Sequence, residues 1–199
     1  PTSLGLFSIA VVGTRQPSSY GLQASFTLAR ELASRGLVVV SGLARGIDTA
    51  AHAGALAAGG RTVAVLGHGL DRIYPARNVG LAATIVEKGG CLASEYPPGV
   101  PPLAHHFPAR NRIIAGLSLG TLVVEAAVRS GSLITARYAM EQGRDVFVVP
   151  GRLDDTSFGG AHALIQQGAK LVQEVNDILC EYAWLSRVEP PAGIPGPEW

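Results

Sequence analysis

The chain has 199 residues, 47% of them hydrophobic and 16% charged; that supports one sizeable buried core and excludes wholesale disorder. No apolar run approaches the length that spans a bilayer, so no membrane partner is expected. The net charge of +1 removes global basicity as an argument for nucleic acid; yet of the 16 lysines and arginines only Lys88 and Lys170 are lysines, and arginine's planar fork suits phosphate and stacks on bases.

In chain order, Pro1–Leu6 lacks a basic stretch followed by an apolar one, so no secretory leader is read there. Pro1 is an unusual first residue, and the chain is expected to be a piece cut from a longer protein. Ser8–Val12 reads as a strand. Gly21–Arg35 follows as a helix with Leu22, Phe26, Ala29 and Ala33 on one stripe and Gly36 as its cap. Leu37–Val40 is a second strand and Ile47–Ala58 a second helix, ended by Gly59-Gly60. Thr62–Leu66 is a third strand, Asn78–Lys88 a helix, and Cys91–Ala93 a short strand. Thr121–Val124 and Asp145–Val149 are strands flanking a helix at Ser132–Gln142. Ala161–Gln167 and Val175–Tyr182 read as helices, with Lys170–Val172 as an edge strand.

These strands are short continuous apolar runs, the pattern of strands buried on both faces. The fold class expected is α/β: a doubly wound, mostly parallel sheet with helices on both faces. Residues 1–183 form the expected core. Residues 184–199 read as a linker or disordered tail, because Ser186–Trp199 holds four prolines and little periodicity. Cys91 and Cys180 lie far apart and neither has a CxxC partner, which argues against a disulfide framework and for the cytoplasm.

In such a sheet, ligands bind beyond the carboxyl ends of the strands. Gly13-Thr14-Arg15 follows the first strand and Ser41-Gly42, with Arg45 just beyond, the second. Ser130-Gly131-Ser132 precedes a helix, where backbone amides cradle anions. Each such loop could be an ordinary tight turn; several at one rim, each bringing an arginine, favour a phosphate site. Phe107-Pro108-Ala109-Arg110-Asn111-Arg112 sets two arginines and an asparagine beside an aromatic ring, the combination used by single-strand binders. Arg15 is assigned to phosphate, aided by amides near Ser41-Gly42. Arg110, Asn111 and Arg112 line the same groove and Phe107 stacks on a base. Arg45, Ser130, Gly131 and Ser132 are second choices. Arg112 could instead pair internally with Glu95 or Glu125, and Asp48 is expected to cap or pair locally.

Other chemistries fit less well. There is no phosphate loop of the GxxxxGK[ST] type, Gly67-His68-Gly69 lacks the third glycine of a dinucleotide fingerprint, and no GxSxG elbow is read, which weakens a serine hydrolase. Of the histidines, only His105 and His106 are close in sequence, so no metal site is expected. His52 is read as a capping or core residue, His105 and His106 as loop surface. No cofactor is expected.

The motifs Val12–Arg15, Val39–Asp48 with Ala51-His52, Asp71–Pro75, Ser94–Pro97, Phe107–Ile114, Val123–Ala126 and Arg129–Ala136 resemble the DprA/Smf family of DNA-processing proteins. The likeness runs from about Ser8 to about Val172. It implies an extended Rossmann-like core that binds single-stranded DNA in natural transformation, protects incoming strands, loads the RecA recombinase and works as a homodimer. Family members often carry an N-terminal helical domain and a C-terminal winged-helix-like domain, which this chain does not show. Two departures stand out. Gly160-Ala161-His162-Ala163-Leu164-Ile165 replaces a Gly-Thr-Asn-x-Leu-Ile pattern, and His68 sits where a smaller residue or cysteine is usual. The alternative is a nucleotide-monophosphate phosphoribohydrolase-like enzyme on a related fold, with Glu125 and Arg110 or Arg112 as its reactive pair. A nucleotide-sensing module without a DNA partner is a third reading.

Overall fold

A computed structural model describes residues 7–187. Seven strands form one all-parallel sheet in the order β4-β3-β2-β1-β5-β6-β7: β1 Ser8–Val12, β2 Val38–Ser41, β3 Thr62–Leu66, β4 Cys91–Ser94, β5 Gly120–Val123, β6 Asp145–Val148 and β7 Lys170–Leu171. The helices are α1 Ser19–Ser34, α2 Ile47–Ala57, α3 Val79–Glu87, α4 His106–Gly116, α5 Ser132–Glu141, α6 Gly159–Gln166 and α7 Val175–Leu179.

The alternation of side chains along each strand explains why the apolar runs are unbroken. Ile9 and Val11 pack to one face with Leu28 and Leu32 of α1 and Ala51 and Ala55 of α2. Ala10 and Val12 pack to the other with Ile114 of α4, Ala136 and Ala139 of α5 and Leu164 of α6. Both faces are covered, so both sets of residues must be apolar.

The chain starts at the middle of the sheet, winds outward through β2 and β3 to β4, then crosses back to lay β5 on the other side of β1. The crossover opens a crevice between the carboxyl ends of β1 and β5, where a doubly wound sheet takes its ligand. The element that returns the chain, α4, was not legible as a helix. Its buried residues are His106, Arg110, Ile114 and Ala115, so half of its inward stripe is polar and the apolar period is lost. Pro108 adds to the disguise, but it sits in the first turn, where its missing N–H costs no helical bond.

At the carboxyl end, the expected helix Val175–Tyr182 is α7 followed by a 3-10 stretch, Cys180–Arg187, kinked at Tyr182. Residues 184–187 thus belong to that stretch, while the remainder of the expected tail, 188–199, lies outside the described residues. Among the described residues no helix is long and apolar enough to cross a membrane.

Candidate functional site

Thr14 fixes the start of the site. Its amide donates to the carbonyl of Glu125 beyond β5 at 2.8 Å, and its own carbonyl accepts from the amide of Ile47, the first residue of α2, at 3.2 Å. The backbone is pinned on both sides, so Arg15 projects outward. Gly46 makes the second contact possible: at φ 80° a side chain would be strained, and a Cβ would stand 2.5 Å from the Thr14 carbonyl oxygen.

Arg15 lies over Phe107 of α4, its guanidinium carbon 5.2 Å from the ring centroid. Tyr74 flanks the same ring, centroids 5.9 Å apart and planes tilted by 30°. These three residues form one wall of a crevice of about 650 Å³, within the range of small-molecule sites, roughly 300–1,000 Å³. Its other borders include Gly13, Thr14, Gln16, Asp48, Arg110 and Asn111, and Ser130, Gly131 and Ser132 at the start of α5.

The fold therefore gathers Gly13, Thr14, Arg15, Phe107, Arg110, Asn111, Ser130, Gly131 and Ser132 around one space. Gly42 and Arg45 border a smaller adjoining cavity. Ser41 and Arg112 border neither. Ser41 is fully buried and its Oγ donates to the carbonyl of Val11 at 2.6 Å, tying β2 to β1. Arg112 pairs with Glu95 on the outer side of α4, one of the two internal partners considered for it.

Arg110 differs most from expectation. It is 4% exposed. Its Nη1 donates to the carbonyls of Gly42, at 2.8 Å, and Val65, and its Nε donates to Asn111 Oδ1 at 3.2 Å. Asn111 in turn donates Nδ2 to the carbonyl of Gly131 at 3.4 Å. Arg110 borders the crevice, but most of its fork is committed to joining the loop after β2 to strand β3. Burial lowers its pKa to about 10, still well above neutrality.

The amides expected near Ser41-Gly42 are also taken. Those of Gly42 and Ala44 donate to Asp48 Oδ2 at 3.1 and 3.2 Å. Burial raises the Asp48 pKa, opposed first by the charge of Arg110 and then by these two bonds. Asp48 thus caps locally, as the sequence suggested.

Glu125, the carboxylate of the enzyme alternative, is 1% exposed and accepts from the Ser18 amide at 3.0 Å and from Ser18 Oγ at 2.7 Å. It caps the N-terminus of α1, where negative charge is favoured. With Arg112 on Glu95 and Arg110 on carbonyls, the reactive pair of that alternative is not assembled.

His52 is a buried core histidine, and His106 is buried too, against the expectation of loop surface. His106 stacks on Tyr96, with ring centroids 4.1 Å apart.

Sequence reasoning passed over Tyr74, Gln16 and Thr135 of the crevice wall. Tyr74 carried a signal, an aromatic residue in a loop after a strand beside Arg72 and Arg77. The reading that no GxSxG elbow is present is wrong as to spacing, since Gly116-Leu117-Ser118-Leu119-Gly120 has it. That segment enters β5 instead of leaving a strand, and Ser118 is 2% exposed with Oγ on the Ile114 carbonyl at 3.0 Å. Among the described residues no group of three or more His, Cys, Asp and Glu could hold a metal ion.

The profile of the DNA recombination-mediator protein A family matches residues 2–183. The chain belongs to the DNA recombination-mediator protein A family. Protein Smf of Escherichia coli is 55% identical over 177 residues, 89% of this chain and 47% of that protein. Among solved structures, DNA processing protein A of Streptococcus pneumoniae superimposes with a TM-score of 0.83 at 52% identity, covering 89% of this chain and 62% of the other. DNA processing protein A of Helicobacter pylori, described for a unique single-stranded DNA binding mode, gives 0.82 at 33% identity and covers 92% of this chain and 83% of the other. The chain spans about half the length of its curated Escherichia coli relative. In this member of the recombination-mediator family, Gly13–Arg15, Tyr74, Phe107, Pro108, Arg110, Asn111 and Ser130–Ser132 line the one crevice.

Proposed function

We propose that the crevice binds single-stranded DNA. The supporting observation is Arg15 held over the Phe107 ring at the mouth of a space large enough for a nucleotide. A cation beside an aromatic face offers one contact to a phosphate and one to a base, the two needs of single-strand binding. Duplex DNA hides its base faces by stacking and gains only the first. The start of α5, with the Ser130 and Ser132 hydroxyls 2.8 Å apart, adds a second place for phosphate. Family membership and the single-strand binding described for the Helicobacter pylori relative support the same reading. In that role the protein protects incoming strands during natural transformation and loads RecA, working as a homodimer in the cytoplasm.

The test is fluorescence anisotropy of a labelled oligothymidylate against a duplex of equal length, at several salt concentrations. About four phosphate contacts give a log–log salt slope near −3, a loss of roughly 50-fold between 50 and 200 mM salt. The single strand should bind more tightly than the duplex. Affinity that ignores salt, or equal affinity for the duplex, overturns the reading.

A further inference from the structure

One residue holds both ends of the loop that presents Arg15. The amide of Thr14 donates to the main-chain carbonyl of Glu125 at 2.8 Å. Further along, the amide of Ser18 donates to the Glu125 carboxylate, 3.0 Å from Oε2 and 3.2 Å from Oε1, and Ser18 Oγ donates to Oε2 at 2.7 Å. Only Arg15, Gln16 and Pro17 lie between the two holds. The Gln16 amide turns back onto Thr14 Oγ1 at 3.2 Å, and the ring of Pro17 fixes its own φ. Gly46 closes the loop from the other side, where a Cβ would stand 2.7 Å from Pro17 Cδ. Little backbone freedom is left at Arg15.

Capping alone does not account for the carboxylate. Ser18 Oγ already accepts from the Gly21 amide at 3.0 Å, the ordinary side-chain cap of a helix start. Glu125 is buried and forms no ion pair among the described residues. Burying a carboxylate with no cation beside it is costly, and a neutral side chain would avoid that cost. Space is kept for it too: a Cβ on Gly21 would stand 2.1 Å from Oε2. On charge alone, a carboxylate under this loop opposes the binding of phosphate. What it does supply is an acceptor for both donors of Ser18, and so a fixed end for the loop.

We infer that Glu125 is a positioning residue of the single-strand site: holding Thr14 through its main chain and Ser18 through its carboxylate, it sets Arg15 over Phe107. It acts through Arg15 and touches neither phosphate nor base. A side chain set in advance asks little ordering when the strand arrives. The effect on DNA rests on the single-strand reading. Its sign separates it from plain electrostatics. Glutamine has the shape of glutamate but offers one acceptor oxygen in place of two, so Glu125→Gln loosens the hold on Ser18. Removing the negative charge would by itself tighten DNA binding; releasing Arg15 weakens it.

The experiment combines anisotropy titration of a labelled oligothymidylate with nuclear magnetic resonance of the isotope-labelled chain, unaltered and as Glu125→Gln, Arg15→Ala and the double variant. Loss of one phosphate contact makes Glu125→Gln bind about eight-fold more weakly at 50 mM salt and about three-fold at 200 mM, flattening the log–log slope by about 0.7. The double variant binds no more weakly than Arg15→Ala, because both changes remove one contact. The Arg15 Nε–H resonance, assigned by its absence in Arg15→Ala, is shifted by the Phe107 ring current, and Glu125→Gln moves it toward the position of a free arginine. Circular dichroism confirms each fold; should Glu125→Gln not fold, Ser18→Ala, which keeps the carboxylate and removes one of its donors, is read in the same way with a smaller loss. Equal or tighter binding, an unchanged slope, additive losses or an unmoved Arg15 resonance each overturns the role. Failure of the single-strand reading looks different: the unaltered chain then shows no salt-dependent binding of the oligothymidylate, while the Arg15 resonance still reports whether Glu125 holds the loop.

Discussion

Arg110 donates Nη1 to the carbonyl of Gly42 at 2.8 Å, and the missing side chain of Gly42 is what admits it, since a Cβ there would stand 2.6 Å from Nη2. Gly42 thus makes room for an internal arginine, not for a ligand. Arg110→Met strands the buried carbonyls of Gly42 and Val65 and strips Asp48 of its nearest compensating charge, while Gly42→Ala expels the same guanidinium. Each is expected to cost about 2–4 kcal/mol in urea unfolding. Because both break one contact, the double variant should lose clearly less than the sum. Additive losses would show that the two residues act apart.

The Arg15–Phe107 pair separates charge from stacking. Arg15→Ala removes one phosphate contact, so the log–log salt slope of oligothymidylate binding should flatten by about 0.7. Phe107→Ala removes a stacking surface worth about 1–3 kcal/mol per base and should weaken binding at every salt concentration by a similar factor, leaving the slope in place. Anisotropy titrations at four or five salt concentrations read both. Exchanged phenotypes would mean that Phe107 serves only to hold Arg15.

The contrast between these two arginines shows what sequence reading could reach. The doubly wound parallel sheet followed from apolar runs and crossover rules, though not its strand order, and Arg15 stood out because it follows a strand end. Arg110 and Arg112 look alike in sequence, two residues apart in one motif. A helix turns them about 200° apart, sending one into the interior and the other out to Glu95. Since the polar inner stripe of α4 concealed the helix itself, nothing local could sort the two. Tyr74 was missed for another reason: its value lies in a tertiary neighbour, Phe107, 33 positions away.

His52 predicts a pH dependence. It is fully buried, and burial, assisted by the charge of Arg110, lowers its pKa from 6.5 to about 3. Thr62 Oγ1 donates to the Val39 carbonyl at 2.6 Å and so accepts from His52 Nδ1–H at 2.7 Å, leaving Nε2 bare and without a partner. The folded chain refuses a proton that the unfolded chain takes below about pH 6.5. Stability from His52 is therefore full above that pH and falls as the pH drops toward about 3, with one extra proton bound on unfolding. Asp48, whose pKa is raised, acts in the opposite sense: its folded form holds a proton longer, so its contribution falls as pH rises above the ordinary carboxylate value. In His52→Gln, the slope of unfolding free energy against pH between 4 and 6 should shrink by about one proton. An unchanged slope would assign the acid sensitivity elsewhere.

Two threonines with unpartnered hydroxyls should respond alike in stability and differently in binding. Thr121, in the central strand β5, is 0% exposed, and Thr135, on α5, is 1% exposed; neither Oγ1 has a hydrogen-bond partner. A buried hydroxyl without a partner costs about 1–3 kcal/mol, and valine keeps the shape while removing it. Thr121→Val and Thr135→Val should each raise the unfolding temperature. Only Thr135 borders the crevice, and threonine in a helix shares two side-chain rotamers, so a rotation can turn its hydroxyl toward a bound phosphate beside the Ser130–Ser132 turn. Thr135→Val should therefore be more stable and bind oligothymidylate several-fold more weakly, while Thr121→Val gains stability alone. Undiminished binding by Thr135→Val would strip that hydroxyl of a ligand role and leave the α5 turn to hold phosphate through its serines and amides.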